Sequence, residues 1–221
     1  LTAEPGDAVT LTGAEAHHAA TVRRVRPGED VTLGDGRGVW LAGTVESVEP
    51  RLVVVRVTAR RTTEPASPRL VLVQALAKGD RDELAAQAAT ELGVDEIVPW
   101  HAARSVSRWQ GPKLEKGRAR WESIVREAAK QAHRAWIPDV STLETTTQVA
   151  RRAAASLVLV LDPTADARLS DVDVSGVTEL ALVVGPEGGI GPEELTQFED
   201  AGAQRVRLGD TVLRTSTAGP A

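Results

Sequence analysis

Two glycine-bearing stretches carry the residue types from which a ligand site can be built. The first, "VVGPEGGIGPEE" (Val183 to Glu194), follows an apolar run and opens a helix. Such a junction usually takes phosphate, because a helix N-terminus offers unpaired N–H groups and the positive end of its dipole. Glu187 inside the loop, with Glu193 and Glu194 just after Pro192, argues otherwise, since a polyphosphate would meet three carboxylates. A neutral or cationic ligand is expected instead. The second stretch, "LGDTVLRTSTA" (Leu208 to Ala218), follows the last apolar run. Two loops at the carboxyl ends of late strands can face each other across one ligand.

Basic residues form a second group of candidates. The segment "HAARSVSRWQGPKLEKGRARWESIVREAAKQAHRAW" interleaves Arg104, Arg108, Lys113, Lys116, Arg118, Arg120, Arg126, Lys130 and Arg134 with few acids, near Trp100, Trp109, Trp121 and Trp136. Cations there can hold phosphate while an aromatic ring stacks a base. The alternative is a solvated helix face over a tryptophan core, and for Trp121, on the apolar stripe, that reading is the better one. Arg23, Arg24 and Arg26 make a smaller cluster before a turn. No metal is expected. His17 and His18 are neighbours on a helix and point to different sides, no third ligand is near, and the chain has no cysteine. They are read as structural.

The elements that position these groups divide near Glu64. Before it, short strand patterns at Ala8–Leu11, Val31–Leu33, Val39–Val48 and Arg51–Ala59 are separated by Pro27-Gly28 and Asp35-Gly36 turns. One helix, "AHHAATVRRV", interrupts them behind a Thr12/Glu15 capping-box pattern. A small β-barrel or sandwich over residues 1–64 follows. "ARRTTEPASP" then loses apolar periodicity, as a linker does. Over residues 65–221, the runs "LVLVQAL", "EIVPW", "SLVLVL", "ELALVV" and "RVRL" alternate with helical segments, the pattern of an α/β fold with a mostly parallel sheet covered on both faces. The spacing predicts a helix over Asp80–Leu92 with Leu84, Ala88 and Leu92 on its apolar face. A second, over about Lys113–Trp136, carries Leu114, Trp121, Ile124, Val125, Ala128 and Ala132.

The bulk composition excludes several classes. With 221 residues, 42% hydrophobic, the chain can bury an ordinary core. No apolar run approaches the ~20 residues of a membrane span, and "LTAEPGDAVT" is no signal peptide, so no membrane partner and a cytoplasmic location are expected. A net charge of −5 leaves nucleic-acid binding to local patches. The absence of methionine, even at position 1, suggests that the native chain is longer or carries modified residues.

Taken together, "LVVGPEGGIGPEEL" and "AGAQRVRLGDTVLRTSTA", with "HHAATVRRVRPGE", "GDG", "ALAKGDRDELAAQAATELGVDEIVPW", "RSV", "RW" and "QAHRAWIP", occur in an order that resembles the RsmE-type family of small-subunit ribosomal RNA uridine-N3 methyltransferases, a branch of the SPOUT class. The resemblance covers nearly the whole chain. It implies an N-terminal PUA-like β-barrel that grips RNA, a C-terminal SPOUT domain with a trefoil knot, a homodimer, and S-adenosyl-L-methionine held between two loops. Matched position by position, the cofactor residues are Val184, Gly185, Pro186, Glu187, Gly188 and Gly189 in the first loop, and Leu208, Gly209, Val212 and Leu213 in the second. Lys78, Arg104 and Arg134 fall in matching motifs and join Arg23, Arg24 and Arg26 as expected contacts to ribosomal RNA or the small ribosomal subunit. The chain departs from many members at Ser216, where a glutamate is expected.

The implied reaction removes a weakly acidic imide proton while negative charge develops on the base, so aimed cations should matter most. Arg214 is the expected catalytic residue, because its guanidinium follows the second loop and can bond two base oxygens or a phosphate. Its alternative is a salt bridge to a loop carboxylate. Glu187, Asp162 or solvent could accept the proton. Two other functions compete: a non-catalytic RNA-binding or ribosome-assembly protein, favoured by Ser216, and an NAD-type oxidoreductase, disfavoured by the late position of the glycine loop.

Overall fold

Apolar–polar alternation in the first sixty residues becomes four strands, β1 (Ala8–Thr12), β2 (Asp30–Gly34), β3 (Val39–Glu49) and β4 (Leu52–Thr62). They pair antiparallel in the order β1-β4-β3-β2. Bulges at Ala42/Gly43 and Val45/Ser47 increase the twist of the long β3–β4 pair. A Cβ on Gly43 would lie 2.5 Å from the Arg56 carbonyl oxygen, so glycine alone permits this close pairing. Val45, Val53 and Val55 bury one face under a short helix, α1 (Gly13–His17), which widens into a π-type turn over His18–Val22.

The Thr12/Glu15 capping box is not formed. Thr12 is still paired with Leu52 in the sheet, and Gly13 turns the chain with a φ of +58°, so the Thr12 side chain makes no capping bond. Neither histidine packs inward: Ala16 is the buried residue of α1, while His17 and His18 are exposed.

The computed structural model describes residues 1–221, which form two units, Leu1–Pro65 and Ala66–Ala221. In the second unit the chain runs β5 (Arg69–Ala75), α2 (Arg81–Leu92), β6 (Glu96–His101), α3 (Pro112–Gln131), β7 (Asp139–Val140), β8 (Glu144–Thr145), α4 (Thr146–Arg151), β9 (Leu157–Leu161), β10 (Glu179–Val184), α5 (Pro192–Asp200), β11 (Gln204–Val206) and α6 (Thr215–Ala218). The sheet order is β11-β9-β10-β5-β6-β7, with β8 also on β6, and every ladder is parallel. Both faces are buried. Val71, Val73, Trp100, Val160, Val183 and Phe198 pack on one side, and Leu72, Leu76, Ile97, Trp121, Val125 and Val184 on the other.

The expected face of α2 is reversed. Ala85, Ala86 and Ala89 are buried, whereas Leu84 and Leu92 are 51% and 68% exposed. Small side chains let the helix approach α3 closely, which outweighs the larger apolar area of the leucines. On α3, Trp121, Val125 and Ala128 are buried as the spacing predicts, while Leu114 and Ala132 are exposed.

Charged residues cluster where the parallel strands begin. Arg152 donates to Glu144 and Glu96 at 2.7 and 2.9 Å, and Arg69 to Glu96 and Glu179 at 2.7 and 3.1 Å. Burial alone would push the Glu96 carboxyl up, but Ser141, Arg152 and Arg69 outweigh it and hold it below its ordinary range. Replacing Arg152 by methionine is expected to lower the unfolding free energy by roughly 3 kcal/mol, the low end for breaking a buried pair. Arg152 keeps 20% of its side-chain surface, which moderates the loss. Because the folded Glu96 is more acidic than the unfolded one, its contribution is complete above the ordinary pKa of 4.5 and fades as pH falls through the folded value. Urea melts at pH 7 and in acid should therefore show a smaller difference between the two proteins in acid.

Candidate functional site

The strand order turns back between β10 and β5, and ligands of open α/β sheets bind at the carboxyl ends of strands beside such a reversal. Two loops leave the sheet there. Residues 185–191 join β10 to α5, and residues 207–214 join β11 to α6. They border one cavity of about 540 Å³. Of the expected cofactor residues, Val184, Gly185, Pro186, Glu187, Gly189, Leu208, Val212 and Leu213 line it, and so does Arg214.

Gly188 and Gly209 are not in the wall. A Cβ on Gly188 would meet the Arg104 Cβ at 3.3 Å, so a glycine here permits close packing against Arg104. Gly209 turns the second loop with a φ of +82°. Within the first loop, Gly189 at φ +71° closes a turn by donating its N–H to the Pro186 carbonyl at 2.8 Å.

Neighbouring elements clamp the first loop from two sides. One Glu187 carboxylate oxygen accepts the Lys78 N–H and an Arg81 guanidinium N–H, both at 3.1 Å. Arg104 donates to the Gly188 carbonyl at 3.0 Å. The three loop acids therefore do not act together. Glu194 is buried and accepts the N–H groups of Gly191 and Ala103 and the Thr146 hydroxyl, Glu193 is exposed outside the wall, and only Glu187 faces the cavity. At the N-terminus of α5 the Glu194 carboxylate folds back to accept the Gly191 N–H at 3.0 Å, which sets a negative charge where a phosphate would dock.

Asp162, at the end of β9, also lines the cavity. Burial pushes its carboxyl up, but bonds from Thr164 and from Arg205, at 2.7 Å, prevail and hold it low. Arg81, Arg104 and Arg214 stand against these two acids, so the cavity wall is not acidic overall. The sequence reading missed Arg81, whose only signal was its place in "AKGDRDE".

The expected RNA residues are scattered. Arg23, Arg24 and Arg26 are exposed on the first unit, with Arg24 in the left-handed region at φ +53°. Lys78 is exposed beside Glu187, and Arg104 belongs to the cavity wall. Arg134 lies apart from these, at the end of α2. Its guanidinium donates to the carbonyls of Thr90, Gly93 and Val94 and pairs with Asp95, with 14% of its side chain exposed. It satisfies the open carbonyl end of α2 and is not available to a phosphate. The basic stripe on α3 is likewise partly neutralised, since Arg118 pairs with Glu122 and Arg120 with Glu83. Trp100 and Trp121 are fully buried and cannot stack a base. Arg108 donates to Nε2 of His101 at 2.8 Å, and burial, reinforced by that cation, lowers the His101 pKa. No group of three or more His, Asp or Glu is arranged to hold a metal, and no helix is long and apolar enough to cross a membrane.

Comparison with known proteins is consistent with this geometry. Residues 64–221 match the model of an RNA methyltransferase domain, and residues 11–58 that of an RNA methyltransferase PUA domain. The chain is 46% identical over 220 residues to the ribosomal RNA small subunit methyltransferase E of Mycobacterium bovis, covering 97% of this chain and 84% of the relative. A ribosomal RNA small subunit methyltransferase E from Neisseria gonorrhoeae, solved bound to S-adenosyl methionine, is 29% identical with a TM-score of 0.88 and covers 100% of this chain and 91% of its own. A chain from Legionella pneumophila, described as a methyltransferase in complex with the bound cofactor SAM, is 31% identical with a TM-score of 0.89 and the same coverage. With a matched domain model over most of its length and a relative this similar, the chain belongs to the RNA methyltransferase family of ribosomal RNA small subunit methyltransferase E, built from a PUA domain and a SPOUT α/β domain.

Proposed function

We propose that the protein methylates small-subunit ribosomal RNA at N3 of a uridine, using S-adenosylmethionine held in the cavity between the two loops. The observation that carries the reading is the meeting of residues 184–190 and 208–214 on one cavity at the carboxyl ends of β9, β10 and β11. Its volume falls within the roughly 300–1,000 Å³ of small-molecule sites. The backbone N–H groups of the lining residues Leu208, Thr211, Val212 and Leu213 donate to no atom of the chain, leaving donors for the acceptor atoms of a purine and an amino-acid group.

When bound, S-adenosylmethionine supplies a methyl group made electrophilic by a sulfonium. Glu187 places a carboxylate on the same wall, already paired with Arg81 at 3.1 Å. Arg214 offers a forked donor toward charge developing on the base. The proposal includes the trefoil knot, the homodimer and the cytoplasmic setting, which family resemblance supports.

Calorimetry is expected to show binding of S-adenosylmethionine and its demethylated product but not of ATP or NAD, because Glu194 already caps the helix that would hold a phosphate. ATP displacing S-adenosylmethionine would overturn the reading. Transfer of labelled methyl to ribosomal RNA distinguishes this enzyme from a non-catalytic binding protein of the same fold.

Within the proposal, residues 1–64 grip RNA and residues 65–221 hold the cofactor. Neutralising Arg23, Arg24 and Arg26 together is expected to reduce the slope of log affinity against log salt by about 2, three contacts at about 0.7 each for unpaired RNA. An unchanged slope in filter-binding titrations would remove these arginines from the interface.

A further inference from the structure

We infer that Gln74 is a positioning residue of the cavity, fixing the two loops against each other through Thr215. The inference rests on the reading that this cavity holds S-adenosylmethionine. Gln74 lies in β5 between apolar residues and is fully buried, on the face that Leu72 and Leu76 share with Trp121 and Val184. An amide gains little there. Its Nε2 donates to the Thr215 hydroxyl and to the Ala75 carbonyl, both at 3.1 Å, while its Oε1 is buried without a partner. A leucine of similar size would leave no orphaned acceptor, so stability alone does not account for a glutamine at this position.

The polarity of the chain of bonds explains it. Thr215 donates its single hydroxyl proton to the Gly185 carbonyl at 2.7 Å. The hydroxyl then has only lone pairs left, and it needs a donor opposite. The amide N–H of Gln74 meets that need; a glutamate could not. Gly185 is the first residue of one loop and Thr215 the first residue of α6, which ends the other. Both line the cavity, whereas Gln74 lies behind them and has no surface in the wall. The docking of α6 is close, since a Cβ on Gly219 would meet the Leu72 Cδ1 at 2.6 Å. Gln74 therefore acts on a ligand only by holding Thr215, and through it the spacing between the loops.

The test uses the full chain with Gln74→Leu, Thr215→Val, Thr215→Ser and the Gln74→Leu/Thr215→Val double variant. S-adenosylmethionine is titrated by calorimetry. Both single apolar variants should weaken binding by about tenfold, the scale of one hydrogen bond. The double variant should be no worse than the weaker single, and Thr215→Ser should stay within about twofold of wild type. Unfolding midpoints of Gln74→Leu should be unchanged or higher. Hydrogen exchange without ligand gives a second readout, with faster exchange expected at the Gly189 and Ala218 amides in both apolar variants. Unchanged affinity in Gln74→Leu, or losses that add in the double variant, would overturn the inference and leave Thr215 as a direct contact. A wild-type protein that binds no S-adenosylmethionine would instead overturn the site reading, and the exchange rates would still decide whether Gln74 couples the loops.

Discussion

Arg214→Ala is expected to lower methyl transfer to ribosomal RNA by about 10²–10³-fold, the cost of losing one preorganised donor at a site of developing charge. The dissociation constant for S-adenosylmethionine should change little. The backbone under this side chain is held in place, because the Arg214 carbonyl accepts the N–H groups of Thr217 and Ala218 at 2.8 and 2.9 Å at the start of α6. The side chain itself lines the cavity and is exposed. Its expected alternative, a salt bridge to a loop carboxylate, is not formed: Glu187 is held by Arg81 and Asp162 by Arg205. A guanidinium left open in this way is suited to the charge that appears on a uracil ring when its imide proton leaves. Arg214→Lys should recover only part of the rate, since an ammonium keeps the charge and loses the fork. Single-turnover rates and calorimetry on the same variant separate the roles. Cofactor affinity falling in proportion to the rate would make Arg214 a cofactor ligand.

Trp121→Ala is expected to destabilise the protein by roughly 3–5 kcal/mol, the range for removing a large buried aromatic ring. Trp121 is 1% exposed and meets Trp109 edge to face with ring centroids 5.3 Å apart. Trp109 in turn lies over Gly117, where any side chain would collide with its ring. The hole left by the indole would open between α3 and the sheet face that also carries Leu72, Leu76 and Val184, beneath the docking place of α6. Urea denaturation gives the loss directly. A variant that folded normally but lost RNA affinity would show that the tryptophan serves a base and not the core.

Much of this protein is written in local sequence. Parallel strands buried on both faces must be apolar along their whole length, so "LVLVQAL", "EIVPW", "SLVLVL" and "ELALVV" announced β5, β6, β9 and β10 without help from distant residues. The two loops were legible for a similar reason. Gly189 and Gly209 occupy backbone conformations that other residues adopt at a cost, and such requirements fix residue type locally.

What the sequence could not determine was the partner of each polar side chain, because those partners are distant in the chain. Glu187, Glu193 and Glu194 look like one acidic cluster in one dimension. In the fold, Arg81 claims the first from 106 residues away, and Ala103 and Thr146 claim the last. Arg134 looked like an RNA contact until the end of α2 placed three carbonyls around it. Gln74 gave no signal, since one amide in an apolar run has no periodicity, and Thr215 lies 141 residues further on. Hydrophobic pattern and turn chemistry are set by near neighbours and survive in a linear reading. Hydrogen-bond pairing depends on tertiary proximity, and only the folded chain decided which charges are spent on structure and which, like Arg214, stay exposed on the cavity wall.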